Sequence, residues 1–146
     1  MSGWETYVRK VEPYVPGEQP KRKVIKLNTN ENPYPPSPRV QKVLDGFDAE
    51  ELRLYPDPEA ADLIEAIALE KGLSKGQIFV GVGSDDVLAM SFLTFFGSNK
   101  PILFPDITYS FYKVWADLYR IPYKCQKLDA DFHICKEDYY KENGGV

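Results

Sequence analysis

Residues 78–86 read Ile-Phe-Val-Gly-Val-Gly-Ser-Asp-Asp, and this stretch gives the first indication of the fold class. Its first five residues form a short apolar run of strand length. Gly83 and Ser84 then predict a turn into a helix that begins at Asp85 or Asp86 and ends near Phe96, where Gly97 stops it. A strand, a tight turn and a helix in this order are the repeating unit of α/β proteins.

The same alternation continues on both sides of this stretch. On the N-terminal side, Asp57 is a candidate N-cap and Pro58 suits the first position of a helix that Gly72 ends. Further elements are predicted as a helix at 38–47, a strand at 101–104, a helix at 109–120, a strand at 121–128 and a short helix at 136–143. Strands that alternate with helices favour a largely parallel sheet with flanking helices, hence an α/β fold.

The first 38 residues have a different character. Residues 13–38 hold seven of the 12 prolines, which predicts an extended, irregular arm with at most a short strand at 24–27. Residues 1–26 carry six basic and three acidic side chains, a local excess of +3 that we interpret as a solvated segment.

Composition excludes several classes of protein. The 146 residues carry 18 basic and 22 acidic side chains, a net charge of −4, so nucleic-acid binding by bulk charge is not expected. No apolar run approaches the roughly 20 residues of a membrane span. Two cysteines and one histidine provide neither a disulfide framework nor a zinc site, and they favour a cytoplasmic location.

Two places could bind a ligand. The N–H groups of Ser84 and Asp85 at a helix N-terminus could hold a phosphate, although spacing alone favours the simpler interpretation that these residues cap their own helix. Tyr109 follows the next strand and could stack on a planar cofactor at the same crevice, or it could begin a core stripe that continues with Phe111 and Trp115. Both alternatives remain open at this level.

A third pattern is weaker. Asp131, His133 and Cys135 alternate, so they would share one face of a strand and could contribute metal ligands. A surface strand with incidental polar residues is the favoured interpretation, and we predict no metal site.

Four segments together resemble the histidinol-phosphate aminotransferase family. They are Leu-Asn-Thr-Asn-Glu-Asn-Pro-Tyr-Pro at 27–35, Leu-Tyr-Pro-Asp at 54–57, Val-Gly-Ser-Asp-Asp at 82–86 and Phe-Pro-Asp-Ile-Thr-Tyr-Ser-Phe-Tyr at 104–112. This family consists of fold type I enzymes that use pyridoxal 5′-phosphate (PLP), usually as homodimers. Two departures lie in the third segment, where Asp86 replaces a common Glu and Val82 replaces a frequent Asn.

The resemblance implies roles for six residues. The backbone N–H groups of Ser84 and Asp85 would hold the cofactor phosphate, and Tyr109 would stack on the pyridine ring. Tyr55 would reach across the dimer to the cofactor phosphate of the neighbouring subunit. Asn32 and Tyr34 would border the substrate pocket.

The resemblance also implies that catalytic parts are missing. The family's Asn-Pro-Asn-x-Pro-Thr-Gly segment would begin just after Val146, followed by the aspartate on the pyridinium nitrogen, the Schiff-base lysine and the substrate-binding arginine. We therefore expect a partial fold, truncated before the catalytic half, with no catalytic residue in this chain and no transamination by it alone. Residues 1–50 would form the arm and dimer segment, and residues 51–146 the first part of the large cofactor-binding domain.

The expected function is that of the N-terminal part of a histidine-biosynthesis enzyme. Its reaction would convert L-histidinol phosphate and 2-oxoglutarate to imidazole acetol phosphate and L-glutamate. The alternatives are a fragment of an aromatic amino acid aminotransferase, a non-catalytic module that binds a phosphate ligand at Gly83–Asp85, and a partner-binding domain without a ligand.

Overall fold

The computed structural model describes residues 3–10, 12 and 15–146, so Pro13, the first proline of the predicted arm, lies outside the described residues. Two compact units emerge from the contacts between residues. One spans Val15–Ile78, and the other spans Phe79–Val146 together with the N-terminal residues.

The unit Val15–Ile78 contains two α-helices, α1 at Pro38–Asp45 and α2 at Ala61–Lys71, and two short 3₁₀ helices at Ala49–Arg53 and Lys75–Gln77. The predicted helix at 38–47 is confirmed as α1. The Ser37 side chain accepts a hydrogen bond from the Arg39 N–H, and Pro38 occupies the first turn, where its missing donor costs nothing.

The proline-rich residues before α1 are irregular, as expected. The short strand considered at 24–27 is absent, because those residues pair with no other strand in the described part of the chain.

Helix α2 begins three residues later than predicted. The Asp57 carboxylate does cap the chain here, because it accepts hydrogen bonds from the N–H groups of Glu59 at 3.0 Å and Ala61 at 2.7 Å. Ala60, however, lies in the left-handed region with φ of 47°, which separates Pro58 from the helical path. At the other end Gly72 has φ of 65° and ends the helix as predicted.

The second unit contains the parallel sheet. Its elements are a 3₁₀ helix at Gly3–Tyr7, α3 at Ser84–Phe95, β1 at Ile102–Pro105, α4 at Phe111–Tyr119, β2 at Tyr123–Gln126 and a 3₁₀ helix at Lys136–Tyr139. Strands β1 and β2 are parallel, with Ile102 opposite Tyr123. A helix between two parallel strands is the α/β arrangement that the sequence predicts, so the fold class is confirmed.

The other edge of β1 also receives hydrogen bonds. The Gly144 N–H donates to the Pro101 carbonyl at 3.0 Å, and the Leu103 N–H donates to the Gly145 carbonyl at 2.9 Å. Adjacent residues of a strand point their N–H groups to opposite edges, and Ile102 donates toward the β2 side, to Pro122. Residues 144–145 therefore lie beside β1 on the edge away from β2.

The strand predicted at 78–82 is wrong. In this segment the Gly83 N–H donates to the Gly81 carbonyl at 2.9 Å and the Val82 N–H donates to the Asp86 carboxylate at 3.1 Å. Both donors are thus used inside a local turn, and the described residues provide no strand beside it. The predicted helix at 136–143 is also shorter, a single 3₁₀ turn at Lys136–Tyr139.

The core of this unit lies between α3, β1 and α4. Its buried residues are Phe92, Ile102, Phe104, Ala116 and Ile121. Aromatic rings surround them: the Phe92 and Tyr112 rings are stacked 5.9 Å apart, and the Phe104 and Tyr123 rings 5.2 Å apart. Aromatic pairs at these separations stabilise a small core beyond their buried area.

None of the helices in the described part of the chain is long and apolar enough to cross a membrane.

Candidate functional site

The start of α3 is an exposed helix N-terminus preceded by a glycine turn. Gly83 occupies the N-cap position with φ of 86° and ψ of 171°, and no side chain caps it within the residues that the structure describes. The first N–H groups of a helix have no acceptor within the helix, and the helix dipole makes this end partly positive. Gly83 also carries no Cβ, so an anion can approach the backbone of Ser84 and Asp85 closely.

Gly81 and Asp86 fix the shape of this turn. A Cβ atom at Gly81 would lie 2.7 Å from the Asp86 Oδ2 and 2.9 Å from the Val87 Cγ2. The same Asp86 oxygen accepts the hydrogen bond from the Val82 N–H. Asp86 therefore folds back over a glycine and holds the turn that leads into α3.

Tyr109 meets the start of α3 directly. Its hydroxyl donates a hydrogen bond to the Asp85 Oδ1 at 2.6 Å, across 24 residues of sequence. The ring is stacked on Phe111 at 5.5 Å and meets the edge of Tyr112 at 5.9 Å. Tyr109 remains 44% exposed, so a planar ligand can reach it.

The structure thus brings together three of the predicted site residues, Ser84, Asp85 and Tyr109. The stripe proposed as an alternative exists as well, because the Phe111 and Trp115 rings lie 5.5 Å apart on α4. Tyr109 lies before this helix, and its hydroxyl connects it to α3 through the hydrogen bond to Asp85. The hydrogen bond itself was not predicted, since no local pattern connects residues so distant in sequence.

The other three predicted site residues lie in the unit Val15–Ile78. Tyr55 is fully exposed. The Asn32 side chain accepts a hydrogen bond from the Tyr34 N–H at 3.0 Å, an Asx turn that shapes the loop, and Tyr34 is exposed. The roles of Asn32, Tyr34 and Tyr55 toward a ligand stay predictions.

The residues at this site fit two parts of PLP. Backbone donors at a helix N-terminus suit its phosphate, and an exposed tyrosine ring beside them suits its pyridine ring. The local charge opposes an anion, however, because Asp85 and Asp86 both lie in the first turn of α3. Each carboxylate has its own partner, the Tyr109 hydroxyl for Asp85 and the Val82 N–H for Asp86.

An apolar cavity of about 460 Å³ lies between α3, β1, Tyr112 of α4 and the C-terminal segment, and the sequence did not predict it. The six predicted site residues are not among those that line it. Leu88, Phe92 and Ile134 are among the residues that line it. Tyr139 lines it too, and burial, with smaller contributions from Asp138 and Asp106, raises the pKa of its phenol above the ordinary value.

The polar residues near His133 form a turn, so the predicted surface strand there is wrong. The Asp129 carboxylate accepts hydrogen bonds from the N–H groups of Asp131 and His133, and Phe132 is left-handed with φ of 63°. Asp129, Asp131 and His133 approach one another at the surface, without Cys135. Their hydrogen bonds account for this grouping as a structural turn.

Comparisons with known proteins agree with the fold. Residues 22–142 match the profile of the family described as aminotransferase class I and II. The chain is 55% identical over 144 residues to the histidinol-phosphate aminotransferase of Clostridium beijerinckii, and 51% identical to those of Lactococcus lactis subsp. cremoris and Clostridium botulinum. Each alignment covers 98% of this chain. The chain spans only about 40% of the length of the relatives it matches.

Proposed function

Because the chain belongs to the class I and II aminotransferase family, we propose that it provides the N-terminal part of a histidinol-phosphate aminotransferase that uses PLP. The observation that carries this proposal is the contact between Tyr109 and the N-terminus of α3, where an aromatic ring meets the first backbone N–H groups of a helix. The names of relatives at 51–55% identity support the choice of substrate.

Within this function the chain binds and orients the cofactor. The backbone N–H groups of Ser84 and Asp85 bind its phosphate, and the Tyr109 ring packs on its pyridine ring. Tyr55 reaches the cofactor phosphate of a second subunit in a homodimer, and Asn32 and Tyr34 border the substrate. When bound, PLP supplies the electron sink on which amino-group transfer depends.

The remaining assignments follow from the same proposal. The substrates are L-histidinol phosphate and 2-oxoglutarate, and the enzyme acts in histidine biosynthesis in the cytoplasm. Residues 1–50 form the arm and dimer segment, and residues 51–146 begin the large domain. We place no catalytic residue in this chain, because none of its lysines corresponds to the family's Schiff-base position.

The rival proposal is a non-catalytic module that binds phosphate at the turn before α3. A helix N-terminus contributes only about 0.3–1 kcal/mol to the binding of a nearby negative charge. Two carboxylates in the same turn oppose that contribution. The turn therefore needs the aromatic platform, and cationic groups from elsewhere in an enzyme, to bind a phosphate ester firmly.

The test uses the product of the complete reading frame that encodes these residues. We expect added PLP to give the absorbance band of the protein-bound cofactor, and the enzyme to transfer an amino group from L-histidinol phosphate to 2-oxoglutarate. The 146-residue chain alone should not exceed the rate of free PLP. Absence of the bound-cofactor band would reject the proposal, and faster transfer from L-tyrosine or L-phenylalanine would favour an aromatic amino acid aminotransferase instead.

A further inference from the structure

We propose that Asp85 is a positioning residue that couples the phosphate-binding turn to the aromatic platform. This inference rests on the proposed function. Asp85 lies in the first turn of α3, so its backbone N–H belongs to the phosphate-binding end of the helix. Its side chain meanwhile accepts the hydrogen bond from the Tyr109 hydroxyl at 2.6 Å. One residue thus connects the two parts of the site.

The hydrogen bond adds a restraint from α3 to a ring that lies in a connecting segment. Tyr109 lies between β1 and α4 outside regular structure, and it is 44% exposed. Contacts with Phe111 and Tyr112 hold the ring, and the bond to Asp85 ties its far end to α3. A ring fixed before a ligand arrives loses less entropy on binding, which raises affinity.

The charge of Asp85 has the opposite effect on a phosphate ligand. A carboxylate near an anion repels it, so removing the charge would strengthen binding if Asp85 did nothing else. A hydrogen bond to a charged acceptor is about twice as strong as one between neutral groups. We therefore expect the loss of the Tyr109 restraint to exceed the gain from lower repulsion.

Asp86 supplies a matched control for charge. It lies next to Asp85 in the first turn of α3, and its carboxylate accepts a hydrogen bond from the Val82 N–H rather than from Tyr109. Asp86→Asn removes the same charge from the same turn and retains an acceptor oxygen. Comparing Asp85→Asn, Asp85→Ala and Asp86→Asn therefore separates repulsion from ring positioning.

A first measurement examines the hydrogen bond without any ligand. The product of the complete reading frame is labelled with tyrosine carrying ¹³C at the ring carbon that bears the hydroxyl, and Tyr109→Phe identifies the Tyr109 resonance. We expect Asp85→Ala to shift this resonance and Asp86→Asn to leave it in place. An unchanged resonance in Asp85→Ala would overturn the proposal whatever the enzyme's activity.

A second measurement is a double-mutant cycle on the equilibrium binding of PLP. Asp85→Ala should weaken binding about 3–10-fold in the wild-type background, and Asp85→Asn should weaken it less because it keeps an acceptor. In the Tyr109→Phe background, Asp85→Ala should leave binding unchanged or tighten it. With inorganic phosphate as the ligand, the effect of Asp85→Ala should be the same in both backgrounds.

The outcomes distinguish this inference from the function on which it rests. If the wild-type protein binds PLP and the effects of Asp85→Ala and Tyr109→Phe simply add, the coupling is refuted while the aminotransferase proposal stands. If the wild-type protein does not bind PLP, both the proposed function and the positioning role are rejected. Coupled effects on PLP binding, with none on inorganic phosphate, support the role.

Discussion

The units Val15–Ile78 and Phe79–Val146 bury their apolar residues very differently. Among the residues that the structure describes, seven of the eight buried hydrophobic residues lie in Phe79–Val146, and Ala68 is the one in Val15–Ile78. Both units nevertheless contain two α-helices. The difference is the sheet, because β1 is buried between α3 and α4 and provides a surface on which both helices can pack.

The helices of Val15–Ile78 leave large apolar side chains in solvent. Val43 and Leu44 on α1, and Leu63 and Leu69 on α2, are all more than half exposed. Exposed apolar faces of this kind are typical of surfaces that other parts of a protein cover. Secondary structure is thus formed in both units, whereas a core is formed within only one of them.

The largest effect is expected from removing a core ring. Phe104 on β1 is 6% exposed and contacts the rings of Tyr112 and Tyr123, so Phe104→Ala should lower the free energy of unfolding by about 3–5 kcal/mol. Leu69→Ala, at a position 85% exposed on α2, should change it by less than about 0.5 kcal/mol. Urea denaturation followed by circular dichroism measures both, and equal effects would contradict the contrast between the units.

A smaller effect is expected from closing the turn before α3. Gly81→Ala would place a methyl group 2.7 Å from the Asp86 carboxylate, so we expect a loss of about 1–3 kcal/mol of unfolding free energy and weaker PLP binding. The control is Gly76→Ala in the other unit, where a Cβ meets nothing within 4 Å. That change should be neutral or slightly stabilising. A Gly81→Ala protein with unchanged stability would show that the turn rearranges freely.

Much of the fold could be predicted from the sequence, because its signals are local. Ser37 and Pro38 mark the start of α1, Gly72 marks the end of α2, and the apolar run at 101–104 gives β1. The strand predicted at 78–82 was wrong because an apolar run does not show whether a neighbouring strand is present. A strand exists only when a neighbour accepts its hydrogen bonds, and here Asp86 takes the Val82 donor instead.

The sequence indicated the separate residues of the candidate site but not the hydrogen bond that connects them. Glycine before a helix made the turn at Ser84 and Asp85 a candidate phosphate site, although spacing alone favoured simple capping, and the place of Tyr109 after a strand suggested the same crevice. The hydrogen bond between Tyr109 and Asp85 depends on how β1 packs beside α3, which is a tertiary property. The turn around Asp129 and His133 was hidden for a similar reason, since alternation in sequence resembles a strand.

The two units should also differ in their response to pH. Burial raises the pKa of Tyr139, whose hydroxyl finds no hydrogen-bond partner among the described residues. Its contribution to stability is therefore complete below the ordinary value of 10.0 and is lost as pH rises through the raised folded-state pKa. Tyr139→Phe should be as stable as wild type at neutral pH, within about 1 kcal/mol, and more resistant to alkaline unfolding.

Thermal unfolding at a series of alkaline pH values measures this difference. Tyr140→Phe, at an exposed neighbouring position, controls for the loss of a tyrosine hydroxyl. Identical alkaline profiles for Tyr139→Phe and wild type would show that burial of Tyr139 does not oppose its ionisation.

The smallest effect is expected in the unit Val15–Ile78, when the pH is lowered. The N–H groups of Ala61 and Glu59 donate to the Asp57 carboxylate and lower its pKa from the ordinary value of 3.8. The cap therefore contributes fully above that value and is lost as pH falls through the lowered folded-state pKa. Asp57→Asn keeps an acceptor but cannot titrate, so its α2 should lose less helix on acidification. The Ala61 amide resonance, followed by NMR from about pH 6 to about pH 2, reports this step. The control is Asp62→Asn, which removes an acid from the first turn of α2 without altering the cap and should therefore retain the wild-type pH profile of this resonance. If Asp57→Asn also retained the wild-type pH profile, the acid sensitivity would arise from another group.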